Sequence, residues 1–221
     1  MIDLYTWSTP NGFKISIMLE ELDVPYQVKP IDIGKGGQHS PEFRRISPNG
    51  KIPAIIDHDP EASSEAPRQV FESGNILIYL AEKYHKFLSP SGPVRSEQLG
   101  WLFFQMAHLG PMVGQWHWFK HFAESKNEMA LTRYQDESLR LVEVMNARLD
   151  RVPYMGGDQY SIADIACYPW AITAVEELSK VEASKIKATR SIHEWLARVG
   201  DRPAVARGMG IPTDEQKQQT V

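Results

Sequence analysis

Three short stretches of the 221-residue sequence carry groups able to handle a charged small molecule. Thr9-Pro-Asn11 stands between an alternating, β-type run and a helical run, so the amides that open the helix face a hydroxyl and a carboxamide. Ile52-Pro53 opens a short β-branched run. A proline cannot donate to a sheet ladder, which places Pro53 at a strand's first residue, at an edge or at a bulge. The backbone of Ile52 is then left to pair with something other than the sheet. Glu72-Ser73 puts a carboxylate and a hydroxyl between a strand over 69–71 and a strongly helical run over 75–84. Taken singly, each stretch reads equally well as a cap or a turn. Their combination points to a site.

The chemistry such a site offers is the activation of a thiol. A free thiol has a pKa of about 8.5, and lowering it by about two units requires roughly 2.7 kcal/mol of preference for the thiolate. One hydrogen bond to a charged group supplies about 1.5–3 kcal/mol, and a helix N-terminus adds about 0.3–1 kcal/mol. The Thr9 hydroxyl or the Asn11 amide, together with the helix end, is therefore enough without a base. The thiol has to come from a ligand. Cys167, the single cysteine, lies in the apolar helical run Ile165-Ala-Cys-Tyr168, the setting of a small buried hydrophobe.

The elements that position these groups follow from periodicity. Ile2 to Trp7 reads as a strand, and Ile15, Met18, Leu19 and Leu22 share one face of a helix. A second strand covers Tyr26 to Ile33 and ends in the loop Gly34-Lys-Gly-Gly-Gln38. A brief helix from Pro41 to Ile46 leads to the turn Asn49-Gly50 and a strand over Ala54 to Asp57. A polar insertion, His58 to Arg68, then connects to the strand at Gln69 to Phe71 and its helix. The first domain is predicted over 1–86, with 87–93 as a linker rich in Ser, Pro and Gly. Residues 94–221 are predicted as an all-helical domain with a loose polar tail from Thr213. Its sharpest signal is Tyr160-Ser-Ile-Ala-Asp-Ile165, in which Ser161 caps a helix and Asp164 completes a capping box.

Composition removes several classes of function. Apolar content of 42% and charged content of 24% are ordinary for a soluble globular protein. A net charge of −4 gives no reason to expect nucleic acid. One cysteine excludes an intrachain disulfide framework and a cysteine-based metal cluster, and suits a reducing compartment. Met1-Ile-Asp-Leu does not read as a signal peptide, so a cytoplasmic location is expected. Residues 98–119 carry no Asp, Glu, Lys or Arg, yet Gln105, His108, Gly110, Pro111, Gln115 and His117 argue against a membrane span. A buried helix kinked at Gly110-Pro111 is expected instead. His117 and His121 have the i, i+4 spacing of a zinc helix, but Trp118 stands where a zinc protease needs Glu, so no metal is predicted. The loop at Gly34 lacks the ending of a nucleotide-binding loop.

Lys51-Ile-Pro-Ala54 followed by Phe71-Glu-Ser-Gly-Asn-Ile-Leu-Ile-Tyr-Leu80 resembles the glutathione site of the cytosolic glutathione transferases, and the Ser161 cap resembles the one that opens the buried helix of their second domain. The resemblance implies a thioredoxin-like βαβαββα N-terminal domain followed by an all-α C-terminal domain. In that family the proline is cis, the residue before it pairs its backbone with the cysteinyl unit, and the Glu-Ser pair holds the γ-glutamyl end. These roles map onto Ile52, Pro53, Glu72 and Ser73. Thr9-Pro-Asn-Gly12, the glycine loop and Ser47-Pro-Asn-Gly-Lys-Ile-Pro53 are more specific and resemble the nu-class bacterial members, which reduce disulfides with glutathione and no enzyme cysteine. That resemblance implies thiol contacts from Thr9 and Asn11, glycyl-end contacts from Gln38 and Lys51, and a carboxylate contact from Arg133. It also implies a homodimer and room for one or two glutathiones or the oxidised dimer. Gln115-Trp-His-Trp-Phe-Lys-His121 departs from the pattern and is read as lining a different second-substrate pocket.

The leading expectation is thus a glutathione-dependent disulfide reductase. Conjugation of electrophiles or reduction of organic hydroperoxides is the enzymatic alternative, because the same thiolate serves both. A non-enzymatic regulatory protein on the same fold is the alternative from another class. Intact Thr9, Asn11, Glu72 and Ser73 count against it.

Overall fold

A computed structural model describes residues 1–60 and 66–218. Positions 61–65 of the polar insertion and the last three residues of the tail lie outside the described residues. The described chain divides into two compact units, one formed by Met1–Leu88 together with the chain from Asp201 onward, the other by Ser89–Gly200.

The first unit runs β1 (Ile2–Thr6), α1 (Pro10–Leu22), β2 (Tyr26–Pro30), α2 (Pro41–Ile46), β3 (Ala54–Asp57), β4 (Arg68–Phe71) and α3 (Ser73–Tyr84). Its four strands lie in the order β2-β1-β3-β4. β1 and β2 are parallel, as the α1 crossover requires, while β3 is antiparallel to both of its neighbours. Ile2, Leu4, Ile55 and Val70 pack the sheet against Ile15, Met18 and Leu19 of α1 and Ile76, Leu77 and Leu80 of α3, all buried. β2 stops at Pro30 rather than at Ile33. The reason is Asp32, whose carboxylate accepts from the amides of Gly34 and Lys35 and winds the chain into a 3-10 turn.

The first unit also takes back the end of the chain. Pro203 sits in the first turn of a further helix, α10 (Pro203–Gly208, numbered after the helices of the second unit), where its missing N–H is harmless. This helix lies on α1. A methyl group added at Gly208 meets the Ile17 Cα at 2.5 Å, so only glycine allows the approach. The Ser16 hydroxyl donates to the Gly208 carbonyl at 2.7 Å. Arg202 grips Glu21 through two bonds of 2.6 and 2.8 Å, and Arg207 meets Glu20 at 2.6 Å. Within the tail expected to be loose, Thr213 and Gln216 form a capping box that opens the short α11 (Asp214–Lys217).

The second unit is helical: α4 (Gly92–Phe104), α5 (Gly110–His121), α6 (Glu128–Leu149), α7 (Ile162–Ser179), α8 (Ala183–Ala188) and α9 (Arg190–Gly200). Between α4 and α5 the backbone makes one wide π-helical turn, Gln105–Leu109, directly before Gly110-Pro111. The proline then falls in the first turn of α5. α7 is buried along most of its length and starts on the predicted capping box. The buried Asp164 accepts from the amides of Met155 (2.8 Å) and Ser161 (3.0 Å) and from the Trp195 indole (2.9 Å), joining the loop before α7 to α9. No described helix is long and apolar enough to cross a membrane.

Candidate active site

The strand registers bring the three chemical stretches to one end of the first unit's sheet. Tyr5 pairs with Ala54, and Ala54 pairs with Phe71. The chain leaving β1 towards Thr9, the chain entering β3 through Ile52-Pro53, and the chain leaving β4 into Glu72-Ser73 therefore share an edge. Because β2 runs parallel to β1, its exit, and with it the loop carrying Gln38, lies at the same end.

Thr9 has extended backbone angles and caps α1, its Oγ1 accepting from the Gly12 amide at 3.1 Å. A hydroxyl has one proton and two lone pairs, so this cap leaves the proton available for donation to an anion. Capping and thiolate stabilisation are thus compatible, and the choice posed by the sequence dissolves. Pro10 and Asn11 form the first turn of α1, with Asn11 half-buried. Gly12 is fixed by space: a Cβ there lies 2.2 Å from the Trp7 carbonyl and 2.5 Å from Thr6 Oγ1.

The Ile52–Pro53 bond is cis. β3 starts only at Ala54, leaving Ile52 beyond both ladders. Ahead of it, the Gly50 amide bonds to the Ser47 carbonyl at 2.8 Å, and the Ser47 hydroxyl closes on the Lys51 carbonyl, also at 2.8 Å. Gly50 takes φ +62°, and a Cβ there comes within 3.1 Å of the Gln38 carbonyl, which joins the glycine loop to this turn. Lys51 itself is exposed. Gln38 is half-buried, with its Oε1 sealed from water and lacking a donor among the described residues. An acceptor in that state is ready for a ligand N–H.

Glu72 adopts φ 66°, ψ 117°, a conformation that costs an L-residue about 1–3 kcal/mol. It is held from both sides, by the β4 ladder before it and by the Ile76 amide, which donates to its carbonyl at 2.9 Å. Its exposed carboxylate accepts from Asn49 Nδ2 at 3.3 Å, tying α3's start to the 47–53 turn. Ser73 is buried and receives a hydrogen bond of 3.3 Å from Lys14 Nζ. Arg133 is exposed and belongs to α6 of the other unit. Sequence reasoning overlooked Lys14 and Asn49. The signal for Lys14 is a lysine at the head of a run, Ile15 to Leu19, that is apolar but for Ser16.

The aromatic segment of α5 makes packing contacts and ion pairs. Trp116 is buried and Phe119 stacks on Tyr134 with ring centroids 5.8 Å apart. Lys120 and His121 both reach Glu177 on α7, at 2.6 and 3.5 Å. Burial works to raise the Glu177 carboxyl, but hydrogen bonds from Lys120 and Lys180 and their charges outweigh it, bringing the pKa down to about 2. His117 is lowered by burial first and then by the neighbouring His121 ring, 4.5 Å away. Trp118 and Phe122 remain exposed. Among the described residues, no group of three or more His, Cys, Asp and Glu side chains is arranged to hold a metal ion.

Residues 1–82 match the N-terminal domain of the glutathione S-transferases. The disulfide-bond oxidoreductase YfcG of Escherichia coli is 48% identical over 209 residues, covering 95% of this chain and 94% of that protein. The chain belongs to the glutathione transferase family. Among its transferase relatives, Escherichia coli YghU, another disulfide-bond oxidoreductase, is 38% identical over 94% of this chain and 73% of its own length. A glutathione transferase family member from Pseudomonas fluorescens, solved with two glutathiones bound, superposes with a TM-score of 0.89 at 41% identity, covering 96% of this chain and 93% of that one. A Pseudomonas putida transferase with one glutathione disulfide bound per subunit gives 0.89 at 40% identity, covering 96% and 91%.

Proposed function

We propose that this protein is a glutathione-dependent disulfide-bond reductase whose reacting thiolate belongs to bound glutathione. One observation carries the reading. The helix start bearing Thr9 and Asn11 shares a sheet end with Ile52-Pro53 and Glu72-Ser73, while the only cysteine, Cys167, is wholly buried on α7. In this reading the Ile52 backbone pairs with the cysteinyl unit beside Pro53, and Glu72 and Ser73 take the γ-glutamyl end. Gln38 and Lys51 take the glycyl end, and Arg133 adds a carboxylate contact. The glutathione thiolate attacks one sulfur of a small disulfide, forming a mixed disulfide and releasing the other half as a thiolate. A second glutathione thiolate then attacks the glutathionyl sulfur, giving glutathione disulfide and the second thiolate, and both leaving thiolates take up protons. Two glutathiones are oxidised as one disulfide is reduced.

Relatives named as disulfide-bond oxidoreductases, and transferases holding two glutathiones or the oxidised dimer, support this choice over conjugation. The proposal includes a homodimer in a reducing cytoplasm, where glutathione is plentiful and one buried cysteine suffices. The test is glutathione-driven reduction of bis(2-hydroxyethyl) disulfide coupled to glutathione reductase, with Cys167→Ala alongside. Equal turnover in both proteins is the expected result. Activity lost only in a folded Cys167→Ala returns the nucleophile to the chain. No turnover in either, with conjugation of a chloronitroarene intact, leaves a conjugating transferase.

A further inference from the structure

Lys14 is the most deeply buried charged group on α1, with 1% of its surface exposed. Lysine is almost never enclosed to this degree unless it is paired, because an ammonium taken out of water must recover its hydrogen bonds elsewhere. Its Nζ donates to Ser73 Oγ, 59 residues away in sequence, at 3.3 Å. Ser73 is buried as well, at 6% exposure, and is the first residue of α3. The residue at that helix's cap position, Glu72, makes no side-chain capping bond. Ser73 therefore sits between an ammonium and the positive end of a 12-residue helix without a side-chain cap.

This arrangement fixes what Ser73 can do. An ammonium has three donors and no acceptor, whereas a hydroxyl has one proton and two lone pairs. Towards Lys14, Ser73 can only accept, so its one proton is directed to another side. A serine polarised in this way is a donor for an anionic acceptor, with a fixed positive charge behind it. We propose that Lys14 is a positioning residue for the γ-glutamyl α-carboxylate of glutathione, holding Ser73 as its donor and supplying the charge that recognises it. The inference rests on the glutathione reading above. Lys14 touches no substrate in this scheme. It acts through Ser73.

The experiment compares two ligands, glutathione and γ-aminobutyryl-cysteinylglycine, which is identical but lacks the γ-glutamyl α-carboxylate. Their dissociation constants are measured by calorimetry on the wild type, Lys14→Met, Lys14→Arg, Ser73→Ala and the Lys14→Met/Ser73→Ala double variant. The wild type should prefer glutathione, and Lys14→Met should weaken glutathione roughly tenfold or more while leaving the analogue unchanged. Lys14→Arg should restore part of the preference, and the double variant should be no worse than Ser73→Ala. In turnover, Lys14→Met should raise the KM for glutathione with kcat little changed. Equal weakening of both ligands, or an undiminished preference for glutathione, overturns the assignment. If Lys14→Met does not fold, Ser73→Ala and Lys14→Arg decide: a full preference in Ser73→Ala overturns it. A wild type that binds neither ligand overturns the glutathione reading itself, a result distinct from each of these.

Discussion

α1 begins on a hydroxyl cap at Thr9 and α7 on one at Ser161, and in sequence these two caps belong to one class. They differ in what surrounds them. Ser161 is completely buried, and its capping-box partner Asp164 is enclosed by four donors from Met155, Ser161 and Trp195. Burial pushes the Asp164 carboxyl upward, against those donors, which favour its ionised form. Thr9 makes one capping bond, is half-exposed, and stands at the sheet end where Ile52-Pro53 and Glu72-Ser73 also emerge. A cap saturated by its own protein holds a fold together. One with a proton to spare serves a ligand.

The comparison can be broken most directly at Asp164. Asp164→Ala removes four buried acceptor interactions and should lower the unfolding free energy by at least about 3 kcal/mol in urea titrations, leaving the turnover of the folded fraction unchanged. A stable Asp164→Ala with lost activity would erase the distinction. The opposite split is expected at Thr9. Thr9→Ala should cost about 1 kcal/mol of stability, yet lower glutathione-dependent turnover roughly tenfold or more through the missing thiolate hydrogen bond. Thr9→Ser should retain both, and Asn11→Ala should raise the pKa of bound glutathione, read from the ultraviolet absorbance of the thiolate. Unchanged activity in Thr9→Ala and Asn11→Ala would remove the thiol site from this end of the sheet.

A smaller effect concerns pH. The Glu177 carboxyl is depressed to about 2, below an ordinary glutamate value of about 4.3. Its ion pairs stabilise the fold fully above the unfolded value and are lost as pH falls towards 2. His117, depressed by burial, acts in the same direction: its contribution is complete above its unfolded value of about 6.5 and fades as the solution becomes more acidic. Glu177→Gln should flatten the acid limb of the stability curve below about pH 4.5. An unaltered acid limb would mean that Lys120 and Lys180 contribute nothing measurable through it. Smallest of all is Cys167→Ala, which trims a fully buried side chain and should cost about 1 kcal/mol of stability with no change in turnover.

The first unit was legible because its site is built from local chemistry. A proline at a strand mouth, an Asn-Gly turn and a hydroxyl at a helix start each carry a backbone requirement that spacing reveals. The apolar run that follows Lys14 marks it for burial, but nothing local marks its 59-residue reach to Ser73. Asn49 was read as half of a turn, and its link to Glu72 depends on the β3–β4 pairing that brings those residues together. The kink expected at Gly110-Pro111 takes the form of a π-helical turn over Gln105–Leu109, which carries the helix past the proline's missing N–H. In the aromatic segment, Trp116, Lys120 and His121 gave no sign in sequence that a distant Glu177 would claim two of them.

Gly208, pressed against the backbone of Ile17, also sets an order of events during synthesis. β1 through α3 leave the ribosome before any of α4 to α9, yet the outer side of α1 has no cover until α10 has been made. The nascent first unit must therefore wait, with Ser16 and Ile17 unshielded, while the whole helical unit is translated. A domain contiguous in sequence can close as it emerges; this one closes last, although it begins first.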